Sequence, residues 1–156
     1  MDPETLMRAA IGQARAGIAA GQSPFGCVIA LKGELIAATH NMVWATTDIT
    51  AHAEIQALRQ ACAKTGRIHL EGCLVATTCE PCPMCMSALH WAKVDTVYYG
   101  AMFADATQAG FTQLAIPATD IVRLGHSKVE LISDVLRADC AALFQEWRRS
   151  GDPREY

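Results

Sequence analysis

Apolar positions at Leu6, Ala9, Ala10, Ala14 and Ile18 share one face of a helix. Asp2-Pro3-Glu4 opens that helix, a capping side chain followed by proline at the first helical position, and Gly21 stops it. The spacing then changes to that of strands. Phe25 to Leu31 reads as one strand, Lys32-Gly33 as the turn, and Glu34 to Thr39 as an antiparallel partner. A polar stretch from Asn41 to Thr50 reads as loop, and Thr50 is expected to cap a helix running to about Cys62. Gly72 to Thr77 predicts a short buried strand. Pro81 is expected to start a helix to Trp91, and Val94 to Tyr99 predicts a further strand. A short helical piece near Asp105 to Ala109 and a last strand from Lys128 to Ile132 follow. Val135 to Arg149 is an amphipathic helix, and Ser150 to Tyr156 a polar tail. This order predicts an α/β fold in which helices cover a mixed central sheet, with no repeat or linker dividing residues 1–156.

Composition narrows the class. Apolar residues make up 51% of the 156 positions and charged residues 19%, which suits one globular domain with a sizeable core. The net charge of −3 argues against a protein that holds nucleic acid by its phosphates, and a small substrate is expected. No stretch is apolar for long enough to span a bilayer, and the N-terminus lacks a basic region followed by an apolar run. The expected compartment is cytoplasmic, so Cys27, Cys62, Cys73 and Cys140 are expected as buried small hydrophobes and not as disulfides.

Two strings carry the chemistry: His52-Ala53-Glu54, and Pro81-Cys82-Pro83-Met84-Cys85 about 30 residues on. Cys82 and Cys85 are three apart, so a helix beginning at Pro81 presents both to one ion. Its N-terminus favours their thiolate forms. His52, in the first turn of a different helix, completes a set of three ligands. Structural zinc sites are closed by four protein ligands, whereas catalytic ones keep three and leave a place for water. One Zn2+ per chain is therefore expected, held by His52, Cys82 and Cys85. Glu54 lies two residues from His52, about 200° around an ideal helix, and is expected to reach past the metal as the catalytic carboxylate. Zinc lowers the pKa of water, Glu54 takes and returns the proton, and hydroxide attacks an amino-bearing ring carbon so that ammonia leaves. Three other readings exist. Cys79 as a fourth ligand makes a closed structural site, Cys82 and Cys85 alone make a redox pair, and the same groups are able to hydrolyse an amide.

These residues resemble the cytidine-deaminase-like zinc deaminases, whose signature is H-x-E followed by P-C-x-x-C. The matching strings are Pro24-Phe25-Gly26, Asn41, Thr50 to Ile55 and Thr78 to Cys85, within a region of about half the chain. The resemblance implies a three-layer α/β/α fold. Ala104 to Ala106, Ala109-Gly110-Phe111, Phe144 to Arg148 and the terminal Glu155-Tyr156 resemble the branch of bacterial guanine deaminases. On that branch Asn41 is implied to hydrogen-bond a base edge, Phe25 to stack on the ring and Trp91 to wall the pocket. Tyr156 is implied to close the site of a neighbouring subunit in a homodimer with exchanged tails. Without the resemblance Asn41 is a turn residue, and Phe25 and Trp91 pack the interior. One departure stands out. Thr112 and Gln113 occupy places that are acidic on that branch, and a neutral amide does not accept from two ring donors as a carboxylate does. Guanine or a related purine is the expected substrate. A nucleoside, a triazine or pyrimidine base, and the adenosine of a tRNA are the alternatives. A zinc-stabilised binding module without catalysis is the rival outside the enzymes.

Overall fold

The computed structural model describes all 156 residues as a five-stranded mixed sheet between two layers of helices. In chain order the elements are α1 (Pro3–Ala19), β1 (Gly26–Leu31), β2 (Glu34–His40), α2 (Val43–Thr46), α3 (Ala53–Thr65), β3 (Cys73–Cys79) and α4 (Pro83–Trp91). There follow β4 (Thr96–Ala101), α5 (Phe103–Gln108), α6 (Ala118–Leu124), β5 (Glu130–Ile132) and α7 (Arg137–Arg148). The strands lie in the order β2-β1-β3-β4-β5. β1 is antiparallel to β2 and β3, while β3, β4 and β5 run parallel. The expected three-layer α/β/α architecture is the observed one.

Strand alternation explains the two cores. Cys27 and Ile29 of β1 face α3 and α4, packing with Ala57, Leu58, Met86 and Leu89. Val28 and Ala30, their neighbours in sequence, face α1 and α7, packing with Met7, Ala10, Leu143 and Trp147. A strand covered on both sides reads as a continuous apolar run. Gly26 starts β1 because a Cβ there would run into the backbone of Ala10 and Ala14 on α1. All seven cysteines are free thiols; Cys27, Cys73 and Cys140 are buried and Cys62 is partly so. No helix is long and apolar enough to cross a membrane.

The structure shifts several boundaries. The stretch read as loop contains the single-turn α2, ended by Thr47 in the left-handed region (φ 51°). α3 starts at Ala53 with His52, not Thr50, as its N-cap residue, and runs past Cys62 to end at the left-handed Gly66 (φ 65°). α4 starts at Pro83, with Cys82 as N-cap. α6 has no counterpart among the elements expected from the sequence, because seven residues are too few to show a helical period and its start is marked only by Pro117. Leu136, also left-handed (φ 50°), delays α7 to Arg137.

Candidate active site

The site forms where α3 and α4 begin, at the end of β3. In each helix the N-cap residue adopts extended backbone and carries a metal-binding side chain: His52 (φ −63°, ψ 157°) and Cys82 (φ −65°, ψ 165°). Neither side chain bonds back to its own helix as an ordinary cap does, so both are free to point outward. Pro83 at the first turn of α4 costs no hydrogen bond. Three residues on from Cys82, Cys85 comes round to the same side.

His52 Nδ1 lies 3.6 Å from Cys82 Sγ and 3.5 Å from Cys85 Sγ. A tetrahedral ion with zinc–sulfur bonds of about 2.3 Å and a zinc–nitrogen bond of about 2.0 Å requires an N···S separation of about 3.5 Å. The donor set fits zinc in distance and in chemistry. Cys82 is poised to ligate. The Cys85 thiol donates to its sulfur, the His52 ring and Cys85 N–H add to that, and together they outweigh burial and hold it at about 4. As donor to Cys82 and as a buried group, Cys85 is pushed well above the usual thiol range. Burial works against a charged His52, but Cys82 and Glu54 outweigh it and raise its pKa. Cys79 is not part of the group. Its thiol donates to the Met102 carbonyl at 3.6 Å, which leaves three ligands and not a closed set of four.

Glu54, in the first turn of α3, is 6% exposed. Burial, followed by the negative charge of Cys82, raises its pKa above the usual carboxylate range. Thr77 of β3 donates its hydroxyl to Glu54 Oε1 at 2.8 Å. That contact was invisible in the sequence except as two hydroxyls, Thr77 and Thr78, in an otherwise apolar buried strand.

The remaining expected residues divide. Phe25, Asn41, His52, Glu54 and Tyr156 line one small cavity of about 20 Å³ with Gln113 at its rim. A wider opening of about 250 Å³ outside it is bordered by Ile49, Met84, Thr112, Gln113 and Leu114. Phe25 stands edge-on to Phe111 and Phe144, with ring centroids 5.0 and 5.8 Å apart. Asn41 is wholly buried and doubly engaged: Oδ1 accepts from Val43 N–H at 3.1 Å, and Nδ2 donates to the Tyr156 hydroxyl at 2.5 Å. The Val43 bond fixes which way the amide points. Trp91 requires correction as a pocket wall. α4 leads away from the site, and Trp91 at its far end is 77% exposed and lines neither opening.

Tyr156 fills the site of its own chain, its ring 5.4 Å from those of His52 and Phe111. Burial, and then the charge of Glu54, keep its phenol protonated. The tail is pinned at Arg154, whose carbonyl accepts from Ser23 Oγ at 3.3 Å and Trp44 Nε1 at 3.1 Å. The Arg154 guanidinium also lies 4.7 Å over the Trp44 ring. Neither anchor carried a motif in the sequence.

Comparison with known proteins agrees with this geometry. The family described as "Cytidine and deoxycytidylate deaminase zinc-binding region" matches residues 1–101. The chain is 38% identical to guanine deaminase of Bacillus subtilis over 157 residues, covering all of both. It is 33% identical to the tRNA-specific adenosine deaminase of the same organism, over 94% of this chain and 91% of that one. A solved structure of guanine deaminase from Nitrosomonas europaea superposes with a TM-score of 0.86 at 31% identity, over 94% of this chain and 84% of that one. The matched region holds Glu54 and the three side chains placed to bind zinc, and the chain belongs to the cytidine and deoxycytidylate deaminase family of zinc-dependent hydrolytic deaminases.

Proposed function

We propose that this chain deaminates a free purine base, guanine foremost, releasing ammonia. The observation that carries the reading is the closure of the site. With Tyr156 on Asn41, the chain's own tail caps the site beside Glu54, an arrangement that suits a small molecule enclosed whole under the tail and not a nucleotide entered from a polymer. The net charge of −3 and the full-length similarity to a guanine deaminase support it.

His52, Cys82 and Cys85 hold the zinc, which when bound supplies a Lewis acid that makes water nucleophilic near neutral pH. Glu54 takes a proton from the attacking water as oxygen adds to the amino-bearing carbon. It delivers that proton to a ring nitrogen, then takes the remaining proton from the newly added hydroxyl and delivers it to the departing amine. The carbon–nitrogen bond breaks, ammonia leaves and a carbonyl remains. Thr77 holds Glu54 Oε1 through these transfers. On entry of the base, Asn41 Nδ2 exchanges the Tyr156 hydroxyl for an acceptor on the ring edge, because Oδ1 stays committed to Val43. Phe25, backed by Phe111 and Phe144, supplies the flat wall.

The test is ammonia release by zinc-loaded protein from guanine, guanosine, adenine, cytosine, cytidine and ammeline. Turnover of guanine is expected. Glu54→Ala is expected to keep its zinc and lose at least about 100-fold in rate. Silence on guanine with turnover of another base would make Thr112 and Gln113 the specificity switch. Silence on the whole panel favours the second reading, a tRNA adenosine deaminase, for which the 33% identity to such an enzyme speaks. A salt-sensitive tRNA complex is its signature.

We further propose a cytoplasmic homodimer. Trp91 and Leu114, 77% and 66% exposed, lie with Ile49 and Met84 around the mouth and along α4, an apolar surface suited to a second copy. Sedimentation at micromolar concentration tests the assembly.

A further inference from the structure

Glu54 and Glu80 are the only buried carboxyl groups in the molecule, and the reaction uses one of them. Glu80 is 6% exposed and lines the inner cavity. Its Oε2 accepts from Phe103 N–H at 3.1 Å and its Oε1 from Ala118 N–H at 2.9 Å. Phe103 and Ala118 are the first residues of α5 and α6, so one carboxyl group caps two helices. Its own N–H donates to the Ala101 carbonyl at 2.8 Å, fixing its backbone to the end of β4. Between Phe103 and Ala118 the chain makes an excursion over the pocket, and this excursion carries Thr112, Gln113 and Leu114 to the opening. Glu80 also lies two residues before Cys82. A single side chain thus ties both ends of the pocket's rim to the turn that supplies a metal ligand.

We propose that Glu80 is a positioning residue that holds residues 103–118 over the pocket and thereby sets how tightly the base is gripped. It acts through Gln113 and takes no part in the proton transfers at Glu54. A role confined to fold stability predicts something different, namely a less stable protein whose surviving molecules bind substrate normally. The proposal rests on the deaminase reading above for its kinetic readout, and a second readout is independent of it.

The experiment compares Glu80→Gln, Gln113→Ala and the double variant, each zinc-loaded, with the native chain. Glutamine preserves size and one acceptor but presents an amide NH2 where the second N–H needs an oxygen. For Glu80→Gln the expected result is unchanged zinc content, KM raised by about tenfold and kcat within about threefold. Amide exchange is expected to quicken across residues 103–118 and to stay slow in α1 and α7. The double variant is expected to raise KM no further than the larger single change, because both substitutions remove one hold. Unchanged KM and unchanged exchange in folded, zinc-loaded Glu80→Gln overturn the proposal. So do a uniform rise in exchange across the chain and strict additivity with Gln113→Ala. Should the glutamine variant not fold, Glu80→Asp, which keeps the carboxyl group but shortens the reach, is read by the same criteria. Should the native chain release no ammonia from any base, the free-base reading fails on its own, and localised exchange still decides the role of Glu80.

Discussion

At the residue scale the site depends on side chains that hold other side chains. Glu54 is buried beside two sulfur atoms, where an unpaired carboxyl oxygen is expensive, and Thr77 meets that need at 2.8 Å. Thr77→Val keeps the shape and removes the donor. Its expected effect is a loss of roughly tenfold or more in kcat with zinc content unchanged, measured by ammonia release and metal analysis. Equal rates for the two proteins would show that Glu54 needs no such support. The contrast with Asn41 is instructive. Both are buried polar groups, but Asn41 lies in a motif and Thr77 in a strand whose other residues are apolar, so only Asn41 could be picked out beforehand.

At the element scale, legibility followed periodicity. α1 and α7 were readable from the period of one buried face, and β1, β3 and β4 from continuous apolar runs buried on both sides. Of the short pieces, α5 and β5 were read and α2 and α6 were not. α2 is held by Thr47 turning left-handed, and α6 by a contact from Glu80, a residue 38 positions away. The spacing of His52, Cys82 and Cys85 was enough to pick out three side chains that the fold brings together. It did not reveal that two of them sit at helix N-caps, because cap positions depend on backbone angles that a single residue's type leaves open. Trp91 was misplaced for a related reason: its distance from Cys85 along α4 carries it out of the pocket. The two helices of the opposite layer are joined by a fork between Arg15 and Glu146, at 3.0 and 2.9 Å. Arg15 lowers the pKa of Glu146, so the pair stabilises the fold above the unfolded carboxyl value of about 4.3. That contribution is lost as pH falls through the folded value. Both side chains are partly exposed (55% and 37%), so Glu146→Gln is expected to cost about 0.2–1 kcal/mol at neutral pH. In thermal melts the difference from the native chain is expected to shrink as pH falls below the unfolded carboxyl value and to vanish once Glu146 is protonated in the folded state; a gap that persists there would assign the effect to packing.

At the scale of the whole molecule, the chain brings its two ends together. Ser23 and Asn41, near the beginning, receive Arg154 and Tyr156 from the end. If copies exchange tails in a dimer, mixing two inactive chains restores activity. One lacks residues 150–156 and keeps Glu54; the other carries Glu54→Ala and keeps its tail. Recovery of ammonia release would show exchange, and continued silence would show that each tail stays on its own chain. The Tyr156 hydroxyl sits on the Asn41 amide to which we assign the base edge, and that assignment requires the strap to lift once for the base to enter and again for the product to leave. The cycle then has a clock separate from its chemistry. Bases of very different intrinsic reactivity are expected to turn over at nearly one rate, slowed in proportion by a more viscous solvent, whereas Tyr156→Phe, which loses the hydroxyl on Asn41, would run at the pace of the bond being broken.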